Sequence, residues 1–160
     1  MSISNDEFRD FNTVRERLSV VTQETRISIV HDILGHPSGL PTLKELVYIN
    51  STLSQTPIYQ HLQRLIGAGI VEKVKLPEGR RQNDLPYTFY GISEEGQQFL
   101  EAHQLLRSEE TLGETYERVE KTEVIKRYES APRPEWRRTT DSFDSAFSAD
   151  SRISLAGSPR

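Results

Sequence analysis

The order of apolar patterns between residues 8 and 92 restricts the fold of this chain more than any other feature. Four successive segments carry apolar residues at three- and four-residue intervals, which is the period of one face of an α-helix. Two further segments with the character of β-strands follow, and a polar loop separates them. The pattern therefore predicts four short helices and one hairpin.

The first two predicted helices are defined by their apolar stripes. The stripe of the first helix consists of Phe8, Phe11, Val14, Leu18 and Val21. The second helix begins after Thr22 and Thr25, either of which can cap it, and it ends at Gly35. Its stripe consists of Ile27, Val30, Ile33 and Leu34.

Start signals mark the third and fourth helices. The hydroxyl of Thr42 can accept from the backbone N–H of Glu45, while the Glu45 carboxylate reaches back to the N–H of Thr42, which is a capping box. After a break at residues 50–52, the fourth helix is expected to begin at Ser54 or Thr56. Its apolar stripe consists of Ile58, Leu62, Leu65 and Ile66.

A strand, a polar loop and a second strand follow the fourth helix. Gly67 and Gly69 end that helix, and residues 70–76 alternate between apolar and charged side chains as a half-buried strand does. Residues 77–86 are rich in charges and turn formers, and residues 87–92 are aromatic and strand-like. These segments predict a β-hairpin with a basic tip.

This element order is that of a winged helix-turn-helix, in which the fourth helix fills a major groove of DNA and the hairpin flanks it. The predicted fold class is mainly α with a small β-hairpin (α+β). The winged domain is expected to span residues 8–92, followed by C-terminal helices over residues 93–128 and a disordered tail over residues 129–160. The tail is rich in Pro, Ser and scattered charges, and such a composition buries too little apolar surface to offset the entropy of ordering.

The C-terminal helical region contains a thin apolar stripe with heptad-like spacing. It predicts a long dimerisation helix, because the stripe is too narrow for a core helix yet suits a two-stranded seam. Phe8 and Phe11 are expected to join this seam, but a stripe of this kind can also fold back on its own domain. The predicted dimer-interface residues are Leu105, Leu112, Tyr116 and Val119.

Residues that contact DNA are predicted from the polar face of the fourth helix and from the basic hairpin. Gln can pair bidentately with adenine, Thr can contact the thymine methyl group, and Arg can bind guanine or a phosphate. Basic hairpin residues suit phosphates or the minor groove. Ordinary solvated helices and hairpins carry the same residue types, so that alternative stays open. The predicted contacts are Ser54, Gln55, Thr56, Tyr59, Gln60, Arg64, Lys75, Arg80 and Arg81.

Local charge supports this placement better than global charge does. The formal net charge is -4, so a surface for nucleic acid has to be local. Residues 54–92 contain five Lys or Arg against three Asp or Glu, whereas residues 93–128 contain nine Glu against five basic residues. Positive charge is therefore concentrated on the half of the chain that is expected to read DNA.

Several kinds of chemistry have no support in the sequence. Cysteine is absent, which excludes disulfides, thiolate metal sites and thiol nucleophiles. The four histidines have no metal-site spacing, and there is no phosphate loop, nucleophile elbow or zinc-protease motif. No cofactor, bound metal or enzymatic activity is predicted. Without a signal peptide or a run of about 18 apolar residues, the chain is expected to be cytoplasmic and to have no membrane partner.

Short segments of the fourth helix and of the turn after it carry a resemblance to a known family. The chain resembles ArsR-like winged helix-turn-helix regulators, those of halophilic archaea in particular, at Ser54-Gln55, His61-Leu62-Gln63-Arg64-Leu65 and Ala68-Gly69-Ile70-Val71. The resemblance runs from about Arg15 to Trp136, and it implies an archaeal DNA-binding regulator. The chain departs from the metal-sensing members of that family because it has no cysteine.

The predicted function is that of a sequence-specific DNA-binding transcriptional regulator, a homodimeric repressor that reads double-stranded DNA. One small domain makes few contacts, whereas two copies can read a palindrome with half-sites about one DNA turn apart. The alternative function is a winged-helix adaptor of the transcription machinery that binds proteins. An adaptor would expose apolar or acidic groups on the fourth helix, where this chain has Gln, Thr, Tyr and Arg.

Overall fold

A computed structural model describes residues 5–107 and 109–136, with side chains from residue 10 onward except at positions 109 and 110. Its helices and strands in chain order are α1 (Asn5–Val21), α2 (Glu24–Gly35), α3 (Leu43–Ile49), α4 (Gln55–Gly67), β1 (Val71–Lys75), β2 (Thr88–Ile92), α5 (Glu94–Ala102), α6 (Glu109–Glu117) and α7 (Glu123–Glu129). The loop between the strands contains one 3-10 turn. The prediction of a mainly α fold with one hairpin is confirmed.

The hydrophobic core lies where the apolar stripes of α2, α3 and α4 meet the hairpin. The helix period of each stripe places its members on one face, so that the faces can bury one another. Burial of a side chain of this size stabilises the fold by roughly 1.5–3 kcal/mol. The fully buried members are Ile29, Val30, Ile33, Leu46, Ile58, Leu62, Leu65, Ile70 and Leu100.

Side-chain caps fix where the helices begin. The capping box of α3 is confirmed, because Thr42 Oγ1 accepts from the N–H of Glu45 at 3.2 Å and Glu45 Oε2 accepts from the N–H of Thr42 at 2.7 Å. The cap of α2 differs from the prediction, since Gln23 rather than Thr22 or Thr25 accepts a backbone N–H of the first turn. A longer amide side chain therefore takes the place of a threonine hydroxyl.

The hairpin is tied directly to the start of α3. β1 and β2 are antiparallel, with Lys75 opposite Thr88. The backbone N–H of Tyr90 donates to the carbonyl of Pro41 at 2.9 Å. The segment before α3 therefore lies along the second edge of β2 and holds the hairpin beside the helix-turn-helix.

The chain after the hairpin does not form the long helix that the heptad-like stripe predicts. α5 ends where Gln104 takes a φ of 55°, the left-handed conformation that commonly terminates helices. The backbone N–H of Leu105 then donates to the carbonyl of Leu100 at 2.9 Å. Three short helices, α5, α6 and α7, follow one another in place of one long helix.

α6 packs against α2 of the same chain. A Cβ atom at Gly35 would lie 2.6 Å from the carbonyl oxygen of Leu112, so this close approach requires glycine. Leu112 is 8% and Tyr116 is 3% exposed. Leu105 packs against the main core, and Val119 is half-buried. Leu112 and Tyr116 therefore pack within their own subunit, as in the alternative that the stripe folds back on its own domain, and a role of the four residues between two chains stays a prediction.

Residues 129–136 fall in the predicted disordered tail, but they pack against the domain. The ring of Trp136 lies so close to Gly91 that a Cβ atom there would be 2.5 Å from it. The guanidinium of Arg133 lies 4.7 Å from the ring centroid of Phe89 and donates to the carbonyl of Ala131 at 2.8 Å. Composition alone missed these anchors. The rest of the predicted tail, residues 137–160, lies outside the described residues.

The carboxylate of Glu45 is the centre of a buried polar network. His36 Nε2 lies 2.8 Å from Glu45 Oε1, and Arg133 Nη2 lies 3.0 Å from Glu45 Oε2. Because the N–H of Ser38 donates to His36 Nδ1 at 3.1 Å, Nε2 carries the proton that is donated to Glu45. Burial alone would raise the pKa of Glu45, but the hydrogen bonds from His36 and Thr42 and the charge of Arg133 hold it below its usual value.

A second buried carboxylate, that of Asp32, connects α2 to the end of α3. Asn50 Nδ2 donates to Asp32 Oδ2 at 2.9 Å and to the carbonyl of Leu46 at 2.8 Å. Burial raises the pKa of Asp32 to about 6, and the hydrogen bond from Asn50 opposes that rise. Keeping this carboxylate ionised where α3 ends and the turn to α4 begins therefore lowers the stability of the folded state.

Replacing Arg133 by methionine is expected to lower the free energy of unfolding by about 2–4 kcal/mol, because Glu45 loses a buried partner while the aliphatic stem is kept. Urea denaturation measures the change. Lys126→Met on α7 is the matched control, because Lys126 is exposed and its ion pair is with Glu123, which is also exposed. Equal shifts of the urea midpoint in the two variants would contradict the role assigned to the network.

Asp32→Asn is expected to stabilise the fold at pH 7 by about 1–2 kcal/mol, allowing for the partial exposure of the side chain. The folded-state pKa of Asp32 is raised, so its contribution to stability is fully present below the unfolded-state pKa and is lost as pH rises through about 6. The stabilisation should therefore vanish near pH 4. Urea unfolding at both pH values measures it, and an equal effect at both would refute the prediction.

Candidate nucleic-acid interface

α3, the turn at residues 50–54 and α4 form a helix-turn-helix. Asn50 caps α3 with its backbone N–H on the carbonyl of Leu46 at 3.0 Å, and the N–H of Leu53 returns to the carbonyl of Asn50 at 2.9 Å. Ser54 is the N-cap residue of α4, and Pro57 lies in its first turn, where its missing N–H costs little. These local bonds fix the angle at which α4 leaves α3.

The exposed face of α4 is polar and lacks acidic residues. The helix buries Ile58, Leu62 and Leu65. At about 100° per residue, Thr56 and Gln60 lie opposite that buried stripe, and both are exposed. The other predicted residues of this helix region are also accessible, with Tyr59 at 40% exposure and Ser54, Gln55 and Arg64 exposed. The structure therefore brings the six predicted residues onto one accessible surface.

Gln63 is exposed on the same face, one turn after Tyr59 and Gln60. The helix period places it off the buried stripe, but the sequence favours an ordinary solvated role for it over a contact with DNA. Its position belongs to the polar surface just described, so it extends the candidate interface toward the C-terminal half of α4.

Three basic groups cluster on one flank of α4, and the sequence did not indicate one of them. Arg26 of α2 lies with Nη1 3.2 Å from His61 Nδ1, and its Nε donates to the carbonyl of Val20 at 2.5 Å. Burial, and then the charges of Arg26 and Arg64, lower the pKa of His61. Burial, and then the charge of Arg64, lower the pKa of Arg26. The guanidinium groups of Arg26 and Arg64 therefore bring positive charge to this flank of α4, and the lowered pKa of His61 disfavours a third charge there.

The opposite flank of α4 faces the hairpin. Burial raises the pKa of the Tyr90 phenol on β2, and the neighbouring phenol of Tyr59 adds to the rise. The phenols of Tyr59 and Tyr90 thus lie close enough to influence each other, where α4 packs beside the hairpin. Tyr59 keeps part of its ring exposed beside this contact.

The hairpin loop, or wing, contains the remaining predicted residues in different environments. Lys75 is exposed at the end of β1, and Arg80 is exposed while donating to the carbonyl of Arg133 at 3.2 Å. Arg81 is half-buried, because its Nε donates to the carbonyl of Leu76 at 2.8 Å and its guanidinium lies 4.2 Å from the ring centroid of Tyr87. Lys75 and Arg80 are therefore the more accessible cations, and Arg81 shapes the loop.

The C-terminal segment braces the wing and adds basic groups that the sequence prediction placed elsewhere. Arg127 Nη2 donates to the carbonyl of Asp84 at 3.0 Å. A groove of about 680 Å³ lies between the start of α3, the wing and α7, and Lys44, Arg127 and Tyr128 line it. The sequence prediction assigned residues 93–128 to dimerisation, so it did not include this part of the surface.

Among residues 5–107 and 109–136, no group of three or more His, Asp or Glu is placed to hold a metal ion. None of the helices in those ranges is both long and apolar enough to cross a membrane.

Comparison with known proteins identifies structures that resemble this one. No protein-family model and no curated protein sequence matches the chain. A protein with a GntR superfamily winged-helix-turn-helix domain from Halomicrobium mukohataei has a similar structure, with a TM-score of 0.77 and 29% sequence identity over 89% of this chain and 98% of that one. The transcriptional repressor BigR from Xylella fastidiosa aligns at a TM-score of 0.42 and 19% identity over 66% of this chain and 99% of that one.

The first of these similarities confirms the winged helix-turn-helix fold. Its coverage of 89% of this chain exceeds the predicted winged domain of residues 8–92, so the similarity also includes residues beyond the wing. The Halomicrobium protein is described by another superfamily, GntR, and the finer assignment to ArsR-like regulators therefore stays a prediction. The similarity to BigR is too low to add to the argument.

Arg64→Gln is expected to raise the pKa of His61 by removing one of the positive charges that lower it. The pKa should stay below the usual value of a histidine, because burial and Arg26 remain. An NMR titration of the His61 imidazole measures the change. Arg80→Gln in the exposed wing is the control, and an unchanged His61 pKa in Arg64→Gln would show that the three groups do not interact.

Proposed function

We propose that this protein binds double-stranded DNA in a sequence-specific manner through α4 and the wing, and that it regulates transcription as a dimeric repressor. The observation that carries the proposal is the exposed face of α4, where Thr56 and Gln60 lie opposite the buried stripe and no carboxylate repels phosphate. A winged helix-turn-helix presents such a helix to the major groove.

Direct reading of bases is assigned to the first turns of α4. Gln60 offers an amide that can donate and accept at adenine, and Thr56 offers a hydroxyl and a methyl group for thymine. Both side chains stand on a helix whose other face is anchored by Ile58, Leu62 and Leu65. Their rigid support favours discrimination between bases, which is worth about 1–3 kcal/mol for each good contact.

Contacts with phosphates are assigned to the flanks of this surface. The guanidinium groups of the buried Arg26 and the exposed Arg64 place positive charge on one side of α4, and a phosphate beside Arg64 would relieve their repulsion. On the hairpin, Lys75 and Arg80 are accessible to a second set of phosphates. Such contacts release condensed counterions, so the affinity should fall as the salt concentration rises.

The dimeric part of the proposal needs a surface other than the predicted seam. Leu112 and Tyr116 are buried against α2 of the same chain. Phe11 of α1, which the sequence associates with dimerisation, is 63% exposed, and the side chain of Phe8 lies outside the described residues. We assign the contact between two copies to this face of α1.

Duplexes enriched from a random library by the protein test the DNA-binding proposal. An enriched duplex should bind tighter than its scrambled version in fluorescence anisotropy, and Gln60→Ala should reduce that preference by roughly 5- to 150-fold. Lys75→Ala with Arg80→Ala should weaken both duplexes alike and lower the salt slope by about 1 for each cation removed. Binding of two chains to one duplex is the expected stoichiometry.

Gln98→Ala on α5 is the matched control, because Gln98 is exposed and belongs to neither α4 nor the wing. It should bind as the unaltered protein does. If no duplex is enriched at any salt concentration, the DNA-binding proposal is wrong and the adaptor function replaces it. If Gln60→Ala keeps the full preference, α4 is not the reading helix.

A further inference from the structure

A cavity that the proposed function does not use lies between α2, the end of α3 and α6. Its volume is about 330 Å³, which is at the small end of the range for small-molecule sites, about 300–1,000 Å³. α6 is held as one wall by the close contact of Leu112 with Gly35. The cavity is therefore a built feature of the packed domain, and it lies between elements that also support α4.

The walls of the cavity combine apolar side chains with opposite charges. Ile27 of α2, Ile49 of α3 and Leu112 of α6 contribute apolar surface. Asp32 contributes a largely buried carboxylate, and the exposed Arg107 contributes a guanidinium. A ligand that suits these walls has a short apolar body, an anionic group for the guanidinium and a hydrogen-bond donor for the carboxylate.

Tyr116 of α6 completes the wall of the cavity. It lines the cavity and is 3% exposed. Its hydroxyl has no accessible surface, so a ligand in the cavity contacts the ring of Tyr116 and not its oxygen.

We propose that this cavity binds a small monocarboxylic acid that also carries a hydroxyl or amino group. Arg107 binds the carboxylate, because a guanidinium matches the geometry of that anion. Asp32 accepts a hydrogen bond from the hydroxyl or amine, and the apolar residues enclose the carbon chain. The ring of Tyr116 packs against the carbon chain of the bound acid.

Binding of such an acid would reach the DNA-reading helix through one hydrogen bond. Asn50, which caps α3, donates to Asp32 at 2.9 Å. A ligand that donates to Asp32 draws on the same carboxylate as Asn50 and so alters the bond that holds the start of the turn before α4. The acid is then an effector of DNA binding, and this step rests on the proposed function.

The test titrates the full chain with three acids, 4-hydroxyphenylacetate, 2-hydroxyisocaproate and leucine, together with their methyl esters, while amide shifts are followed by NMR. Saturable shifts are expected in α2 and α6 with at least one acid, and its ester should bind at least about tenfold more weakly because the charge is lost. Arg107→Gln should weaken that acid to a similar degree. Lys126→Gln should leave it unchanged.

Several outcomes overturn the proposal or one of its steps. The site is wrong if none of the acids gives saturable shifts in α2 and α6, or if Arg107→Gln binds the acid as tightly as the unaltered chain. Thermal melting of each variant shows that it is folded before the titration. The effector step is wrong if a bound acid leaves the affinity for an enriched duplex unchanged. Failure to enrich any duplex would instead count against the DNA-binding proposal, because acid binding is measured without DNA.

Discussion

The arrangement of this molecule depends on one buried carboxylate. Glu45 is the third residue of α3 and is fully buried, yet its pKa is held below the usual value. Removing a charge from water is costly unless hydrogen bonds and an opposite charge replace the lost hydration. The cap of Thr42, the ring of His36 and the guanidinium of Arg133 supply that replacement. Three separate parts of the chain must therefore meet at Glu45 for the domain to be stable.

The position of Glu45 gives this requirement its importance for the candidate site. His36 follows the end of α2, Thr42 begins α3, and Arg133 belongs to the C-terminal segment. The same C-terminal segment contacts the wing, through Arg127 at Asp84. The contacts around Glu45 thus help to position both the helix-turn-helix and the wing, although neither element contains all the residues of this network.

The local elements could be predicted because their signals lie within a few residues of sequence. The capping box at Thr42, Pro57 in the first turn of α4 and the buried stripe from Ile58 to Leu65 each follow from spacing alone. The polar face of α4 follows from the same period. These features cover the helix-turn-helix and most of the candidate surface, and the structure agrees with them.

The packing of the C-terminal third could not be predicted because it depends on distant partners. Leu112 and Tyr116 have a spacing that suits a seam between two chains equally well, and their packing against α2 depends on the close approach of Leu112 to Gly35. Arg133 sits in a polar stretch, and nothing near it in the sequence indicates a partner at Glu45, 88 positions away. Arg26, likewise, meets His61 from 35 positions away. Pairing across such distances has no periodic signal.

The bonds that Arg81 makes within the wing have a consequence for how the loop would bind a partner. Its contacts with the carbonyl of Leu76 and the ring of Tyr87 hold both ends of the loop together, and Arg127 holds the loop from outside at Asp84. A loop restrained in this way has little conformational entropy left to lose on association. The wing is preorganised, so little of the energy that its surface cations gain from a partner is offset by the entropy of ordering the loop.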